Sequence, residues 1–111
     1  MEYVTSAQVA QLQSEGKKLL VQYTADWCSP CKALTPRLSN LSNKYSDITF
    51  VKVNVDENQD AVMELGINTV PTIMIYEGDT LINRSVGANI DSVYSKILDT
   101  LYVAQIMRYL K

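Results

Sequence analysis

The sequence predicts one α/β domain in which helices cover both faces of a mixed β-sheet. Three observations support this. Helical and strand-like segments alternate along most of the 111 residues. Two short, nearly continuous apolar runs are typical of strands buried on both faces. Two further strands then follow each other closely, as in a hairpin, before a last helix. The length suits one domain and is too short for two.

The first two elements are a helix and a strand. Thr5 followed by Gln8 fits a capping box at the start of the helix. Gly16 ends the helix, because glycine enters the left-handed conformation without a Cβ clash. The apolar run 19–24 predicts the first buried strand, in the centre of the sheet.

A second helix and a second buried strand follow. The segment around Cys28 opens the helix, and Pro36 should kink it because proline removes a hydrogen bond and clashes with the preceding turn. Residues 48–55 predict the strand. The apolar stripe of this helix consists of Ala33, Leu34, Leu38 and Leu41.

The last part of the chain predicts a short helix, a hairpin and a long helix. Ala61, Val62 and Leu65 form the apolar side of the short helix, which Gly66 closes. Strands at 72–76 and 81–86 flank the turn 77–79. The last helix begins near Asn89 or Ile90 and extends to about Leu110. We therefore expect one domain over residues 1–111 with an extended C-terminal helix at about 90–110.

Composition and charge exclude several classes of function. The net charge is −2 and the basic residues are scattered, so nucleic acid is not an expected ligand. No apolar run approaches the ~20 residues of a membrane span, and the N-terminus lacks the pattern of a signal peptide. A cytoplasmic protein without a membrane contact is therefore expected. Histidine is absent, which removes catalysis and metal binding through imidazole.

The two cysteines, Cys28 and Cys31, form one C-x-x-C motif where a buried strand passes into a helix. The first helical turn has unpaired N–H groups and a partial positive charge, which stabilise a thiolate. Pro30 pre-sets a helical φ where its missing N–H costs nothing. We expect Cys28 to attack a substrate disulfide and Cys31 to resolve the mixed disulfide.

Two other interpretations of the motif stay open at this point. A C-x-x-C can be half of a zinc site, but zinc needs four ligands, so a second subunit would have to share the ion. The cysteines could also be small core residues without reactivity. No metal is expected within the chain itself.

Residues 27–32, Trp-Cys-Ser-Pro-Cys-Lys, resemble the active-site motif of the thioredoxin family in five of six positions. The segments 52–56, 69–72, 77–78 and 86–88 fall at this family's spacings. The resemblance implies the thioredoxin fold, with four to five strands and four α-helices in three α/β/α layers. It also implies a thiol-disulfide oxidoreductase that reduces client proteins, transfers electrons and maintains redox homeostasis. Trp27 and Lys32 belong to this motif.

The resemblance also implies how the redox centre is recharged and how it meets its substrates. No Gly-rich nucleotide loop is present, so no cofactor is expected to bind and a thioredoxin reductase-like partner would supply electrons. Pro71 matches the family's cis-proline, which would expose the backbone of Val70 to an extended substrate segment. Trp27, Gly87 and Ala88 would complete an apolar docking surface.

Gln22, buried in the first strand, departs from the family pattern. It stands where thioredoxins usually carry a buried aspartate that takes a proton from the second cysteine. Glutamine cannot take up a proton, so we expect Cys31 to resolve the mixed disulfide more slowly. Without a negative charge nearby, we expect the thiolate of Cys28 to form more readily. Lys52 loses an ionic partner, and its amine would bond the Gln22 oxygen or extend to solvent. The alternative is that Gln22 is a tolerated core residue without kinetic effect.

Two further departures concern Ser29 and the C-terminal helix. Ser29 replaces a glycine between the cysteines, and its hydroxyl could bond a sulfur or cap an N–H, or have no effect. Residues 102–110 are more apolar than one packed helix face requires, which suggests a dimer or partner contact. The alternative is a helix end that packs on its own sheet.

Three functions follow from these observations, and the first is preferred. It is a cytosolic thioredoxin that reduces protein disulfides through Cys28 and Cys31. The second is an oxidant or isomerase, which only Ser29 and Gln22 support. The third is a binding subunit that uses the fold without redox chemistry, which the apolar C-terminal helix would fit.

Overall fold

A computed structural model describes residues 1–110 of the chain. In chain order the elements are β1 (Glu2–Tyr3), α1 (Ser6–Ser14), β2 (Lys18–Thr24), α2 (Ser29–Lys44), β3 (Ile48–Asn54), a 3-10 turn (Val55–Glu57), α3 (Gln59–Leu65), β4 (Thr72–Glu77), β5 (Thr80–Val86) and α4 (Ile90–Tyr109).

The five strands form one mixed sheet in the order β1-β3-β2-β4-β5. The β2 strand lies at the centre, parallel to β3 and antiparallel to β4. Its register places Gln22 between Lys52 of β3 and Ile73 of β4. Six of its seven residues are buried, as the continuous apolar run predicted.

Two cores lie on opposite faces of the sheet, because successive side chains of a strand point to opposite sides. The core on the α1 and α3 side includes Val9, Val21, Tyr23 and both cysteines. The core on the α2 and α4 side includes Leu20, Leu34, Leu38, Phe50, Val93 and Ile97. The predicted three-layer α/β/α arrangement is confirmed.

Local signals in the sequence located the helix ends correctly. Thr5 and Gln8 form the capping box, and Gly66 takes a left-handed φ of 66° after α3. Asn89 caps α4 through hydrogen bonds from the N–H groups of Asp91 and Ser92. Pro36 lies inside α2, which the structure assigns as one helix from Ser29 to Lys44.

Besides shifts of one residue at the ends of elements, two details differ from the sequence prediction. The strand β1 was not predicted, because two residues are too few for an alternating pattern and it forms only by pairing with Val51 and Lys52 of β3. Ala33, assigned to the apolar stripe of α2, is exposed. Leu34 and Leu38 alone are fully buried in that helix beside Cys31, so the stripe is narrower than predicted.

The long C-terminal helix has two different faces. Its buried face includes Val93, Ile97, Thr100 and Ala104. Asn83 of β5 holds this face, since its amide donates to the carbonyl of Lys96 and to the Thr100 hydroxyl. On other sides of the helix, and at its end, large apolar side chains remain exposed: Leu98, Tyr102, Ile106, Met107, Tyr109 and Leu110.

Candidate functional site

The candidate site is a disulfide between Cys28 and Cys31 at the start of α2. Cys28 is the N-cap residue, and its sulfur accepts a hydrogen bond from the Cys31 N–H over 3.2 Å. Both cysteines are largely buried, with 4% of Cys28 and none of Cys31 exposed. The Cys28 sulfur is the one nearer the start of the helix, as the motif predicted, and Cys31 lies deeper in the first turn.

This geometry favours a thiolate on Cys28 once the disulfide is reduced. The Cys31 N–H already points at the Cys28 sulfur, and the unpaired N–H groups of the first turn carry a partial positive charge. Both effects stabilise a negative sulfur more than a neutral thiol. The arrangement therefore suits the first step of thiol-disulfide exchange, the attack of the Cys28 sulfur on a disulfide.

The loop before β4 lies against the disulfide. The Val70–Pro71 peptide bond is cis, as the resemblance implied. The carbonyl oxygen of Val70 is 3.6 Å from the Cys28 sulfur. Val70 is half-buried, whereas Pro71 is buried. Gly87 joins this loop, because its N–H donates to the Pro71 carbonyl over 2.9 Å and its φ of 98° is open mainly to glycine.

Trp27, the residue before Cys28, remains 68% exposed. Its indole N–H donates to the Asp56 carboxylate over 2.9 Å. A cleft of about 140 Å³ separates the indole from the loop that carries Val70. Its walls are Trp27, Val55, Val62, Ile67, Asn68, Thr69 and Val70. An apolar cleft of this size beside a reactive sulfur can accept one side chain of a docked peptide.

Gln22 lies beneath the first turn of α2 and is completely buried. Its amide N–H donates to the Cys31 carbonyl over 3.4 Å. Its amide oxygen accepts a hydrogen bond from the Thr35 hydroxyl over 3.1 Å, and the same hydroxyl lies 2.9 Å from the Cys31 carbonyl oxygen. The buried amide is therefore satisfied by the helix that carries the resolving cysteine.

Lys52 does not bond the Gln22 oxygen, which was one of its two expected positions. Thr35 donates to that oxygen instead. The Lys52 ammonium lies over the ring of Tyr3, 4.1 Å from its centre, in a cation–π contact. Pairing of β1 with β3 brings these two side chains together, since Tyr3 and Lys52 are register partners.

The remaining predicted residues lie around the motif. Ser29, Pro30 and Lys32 form the exposed outer side of the first helical turn, and Ala88 is exposed beside Gly87. Cys28 rather than Ser29 is the N-cap. No bond from the Ser29 hydroxyl to a sulfur is present within residues 1–110.

Sequence reasoning missed three residues that contact the site, namely Thr35, Asp56 and Tyr3. Thr35 could have been found, because a residue four positions after Cys31 in a helix lies on the same face. Asp56 and Tyr3 reach Trp27 and Lys52 only through the packing of other strands. No signal local to those residues points to these contacts.

The described residues also bear on two other kinds of site. Across residues 1–110, histidine, cysteine, aspartate and glutamate nowhere gather in a group of three or more suited to a metal ion. None of the helices in the same range combines the length and apolar character needed to cross a membrane.

Comparison with known proteins relates the chain to one family. The sequence model of the family described as Thioredoxin matches residues 2–100. Thioredoxin-T of Drosophila melanogaster is 40% identical over 81 residues, which is 72% of this chain and 52% of that protein. Thioredoxin-1 of Schizosaccharomyces pombe is 37% identical over 84 residues, 76% of this chain and 82% of that protein.

The chain thus matches about half the length of the Drosophila relative and most of the fission-yeast one. Among solved structures, oxidised mitochondrial thioredoxin 3 of Saccharomyces cerevisiae superposes with a TM-score of 0.83 at 32% identity. The superposition covers 89% of this chain and 94% of the yeast chain. The similarity therefore extends over nearly the whole fold described above.

Proposed function

The chain belongs to the thioredoxin family and carries the redox disulfide of a thiol-disulfide oxidoreductase, and on that premise we propose that it reduces disulfides in client proteins. The observation that carries this proposal is the Cys28 sulfur at the N-cap of α2, where the Cys31 N–H already points at it. A sulfur in this position is an activated nucleophile in its reduced form.

Cys28 begins the proposed reaction as a thiolate. It attacks one sulfur of the client disulfide, so that a Cys28–client bond forms and the client S–S bond breaks. The other client sulfur leaves as a thiolate and takes a proton from water. No cofactor takes part in this step, because the electron pair comes from Cys28 itself.

Cys31 completes the reaction as the resolving thiol. Its thiol gives its proton to water and its sulfur attacks Cys28, so that the Cys28–Cys31 bond forms and the Cys28–client bond breaks. The second client sulfur leaves as a thiolate and takes a proton from water. The client gains two electrons and two protons, and Cys28 and Cys31 become the disulfide described above. A thioredoxin reductase-like partner would return the pair to the dithiol.

The proposed docking surface surrounds the Cys28 sulfur. Val70 would supply backbone groups to an extended client segment, as a short strand addition. Trp27 and Ala88 would contact its side chains from the two sides, while Gly87 and Pro71 hold the Val70 loop in place through their hydrogen bond. Ser29, Pro30 and Lys32, on the outer side of the turn, would tune the cysteine pair.

Trapping of client proteins tests the proposed roles of the two cysteines. Cys31→Ser should accumulate a mixed disulfide between Cys28 and a protein substrate such as insulin, because nothing resolves it. Cys28→Ser should form no such adduct and should lose reductase activity. If Cys28→Ser reduces insulin as fast as the parent chain, the proposed function is wrong.

The direction of electron flow is tested separately, by the reduction potential of the pair. A potential near the ~−270 mV of thioredoxin supports a reductant, whereas one near the ~−180 mV of disulfide isomerases favours isomerisation or oxidation. The measurement uses glutathione buffers and counts free thiols by mass spectrometry after alkylation.

The exposed apolar residues of α4 favour a second candidate function, in which the chain also binds another protein or a second copy of itself. Tyr102 and Ile106, separated by four positions, lie on the same side of the helix. Sedimentation velocity of the parent chain and of the double variant Tyr102→Lys, Ile106→Lys tests this surface. Association of the parent chain that the double variant lacks supports this surface as a contact site. A parent chain that stays monomeric opposes a contact between two copies.

The proposed place of action is a reducing compartment, namely the cytosol, where the pair is kept as a dithiol. The yeast protein of similar structure is mitochondrial by name, so the mitochondrial matrix is the competing location. Fractionation of cells that express the tagged full-length protein decides between the two compartments.

A further inference from the structure

We propose that Thr35 is a positioning residue for the redox step, which holds the Cys31 backbone through its own hydroxyl and through Gln22. This inference rests on the proposed function of the cysteine pair and adds a residue that the motif does not contain. Thr35 touches neither sulfur in the contacts described above, so it would act through the Cys31 carbonyl and not in the chemistry itself.

The buried amide of Gln22 needs a hydrogen-bond donor for its oxygen, and Thr35 supplies that donor. An amide carries two N–H donors and one oxygen with two lone pairs, and Gln22 is completely buried. The group that faces the Cys31 carbonyl must be the amide nitrogen, because a carbonyl oxygen only accepts. The amide oxygen therefore faces Thr35, whose hydroxyl is the donor that satisfies it.

The Thr35 hydroxyl has two acceptors within reach and one hydrogen. The Cys31 carbonyl oxygen is 2.9 Å away and the Gln22 oxygen is 3.1 Å away. The hydrogen can turn to either oxygen or be shared between them. Removing the hydroxyl leaves the buried Gln22 oxygen without this donor, which is more costly than losing an exposed hydrogen bond. We then expect the Gln22 amide to rotate away from the Cys31 carbonyl.

These contacts restrain Cys31 on both sides of its Cα atom. Its N–H donates to the Cys28 sulfur over 3.2 Å, and its carbonyl accepts from Thr35 and Gln22. A restrained first turn keeps the Cys31 sulfur close to Cys28 even when no bond joins them. Preorganisation of this kind raises the effective concentration of the resolving thiol. We therefore expect it to favour closure of the disulfide.

The chain contains a closely matched control for a Thr35 variant. Thr100 is a buried threonine of α4 whose hydroxyl donates to the carbonyl four residues earlier, Lys96, over 2.7 Å. It also bonds the side-chain amide of Asn83 over 3.0 Å. Thr100→Val removes the same kind of hydroxyl as Thr35→Val, but from α4, a different helix from the one that carries the cysteines.

The experiment compares Thr35→Val, Thr35→Ser and Thr100→Val with the parent chain. For each, equilibration with reduced and oxidised glutathione gives the effective concentration of the two thiols, with alkylation and mass spectrometry as the readout. We expect Thr35→Val to lower it by about three- to tenfold, which corresponds to the loss of one hydrogen bond. Thr35→Ser, which keeps the hydroxyl, and Thr100→Val should stay within about twofold of the parent value.

Three results would overturn the proposal: Thr35→Val within twofold of the parent chain, Thr35→Ser as impaired as Thr35→Val, or an equal effect of Thr100→Val. If Thr35→Val does not fold, Thr35→Ala and Thr35→Ser give the same comparison. Insulin reduction by the parent chain is measured in parallel. Failure there refutes the proposed function, whereas an active parent chain with an unaffected Thr35→Val refutes only the positioning role.

Discussion

The indole N–H of Trp27 donates a hydrogen bond to the Asp56 carboxylate, with 2.9 Å between Nε1 and Oδ2. The bond joins the residue before Cys28 to the 3-10 turn that follows β3, 29 positions later in the chain. Trp27 is two-thirds exposed, so packing alone does not hold its ring. The carboxylate therefore keeps this aromatic side chain at the edge of the redox site.

Asp56→Ala should release the Trp27 side chain. The expected result is faster collisional quenching of tryptophan fluorescence, because the chain contains one tryptophan and its ring would gain freedom. A fall of about two- to fivefold in kcat/KM for a protein disulfide should accompany it, in line with one exposed hydrogen bond. Glu57→Ala, at an exposed neighbouring acid, is the control. Equal quenching in both variants would contradict a holding role for Asp56.

Gln22→Asp should accelerate resolution by Cys31. A carboxylate beneath the first turn of α2 can accept a proton, which the amide of Gln22 cannot. We expect the mixed disulfide between Cys28 and a client thiol to decay several-fold faster above the pKa of the new carboxyl. Stopped-flow measurement of client release gives this rate. Gln22→Asn provides the control, because it shortens the side chain equally without adding a charge.

The same variant should lose stability as the pH rises. Burial raises the pKa of a carboxyl above its unfolded value of about 3.9, so the folded protein binds the proton more tightly. Its stability relative to Gln22→Asn is then highest below that value. It declines through the raised pKa by at most ~1.4 kcal/mol per pH unit. Urea unfolding at pH 5 and pH 8 should show this, and a constant difference would indicate a solvated carboxyl.

Two buried tyrosines should make the protein sensitive to alkali. Burial, with the neighbouring Tyr76 as a second cause, raises the pKa of Tyr23 well above 10. Burial also raises the pKa of Tyr76, which Arg84 partly opposes. Both phenols therefore keep their protons in the folded state. The stability they contribute is fully present below pH 10 and is lost as the pH rises through their folded pKa values.

Tyr23→Phe removes one of these phenols. The loss of stability above pH 10 should then be shallower by up to ~1.4 kcal/mol per pH unit, the contribution of one proton. Chemical unfolding between pH 9 and pH 11.5 measures the slope. Tyr109→Phe, at a residue that is 89% exposed, should keep the slope of the parent chain. An unchanged slope for Tyr23→Phe would show that Tyr23 ionises without unfolding.

Arg84 closes the C-terminal end of α3. Its guanidinium donates to the carbonyls of Leu65 and Gly66 over 3.0 and 3.1 Å. Arg84→Met should lower the free energy of unfolding by about 1–2 kcal/mol, since charged hydrogen bonds to backbone are worth more than neutral ones. Arg84→Lys should recover little, because lysine lacks the forked donor. Urea unfolding measures both changes, with Arg37→Met on the exposed side of α2 as the control.

Much of the fold could be predicted because its signals are local. Thr5 and Gln8 are three residues apart and form their capping box within one helical turn. Gly66 ends α3 because its own backbone takes the left-handed conformation. The apolar run in β2 required burial on both faces wherever the strand was placed. The strand β1 carried no such signal, since it exists only through its pairing with β3.

The candidate site also has features with a local sequence signal and contacts without one. The spacing of Cys28 and Cys31 was enough to place them in one helical turn, because a separation of three residues in a helix brings both sulfurs to the same end. The apolar run around Gln22 likewise identified it as a polar residue in a buried strand. The partners of the site residues could not be predicted in this way: Thr35 for Gln22, Asp56 for Trp27 and Tyr3 for Lys52. Those contacts depend on strand register and on how α2 lies across the sheet, which arise from packing of the whole chain and not from any short segment.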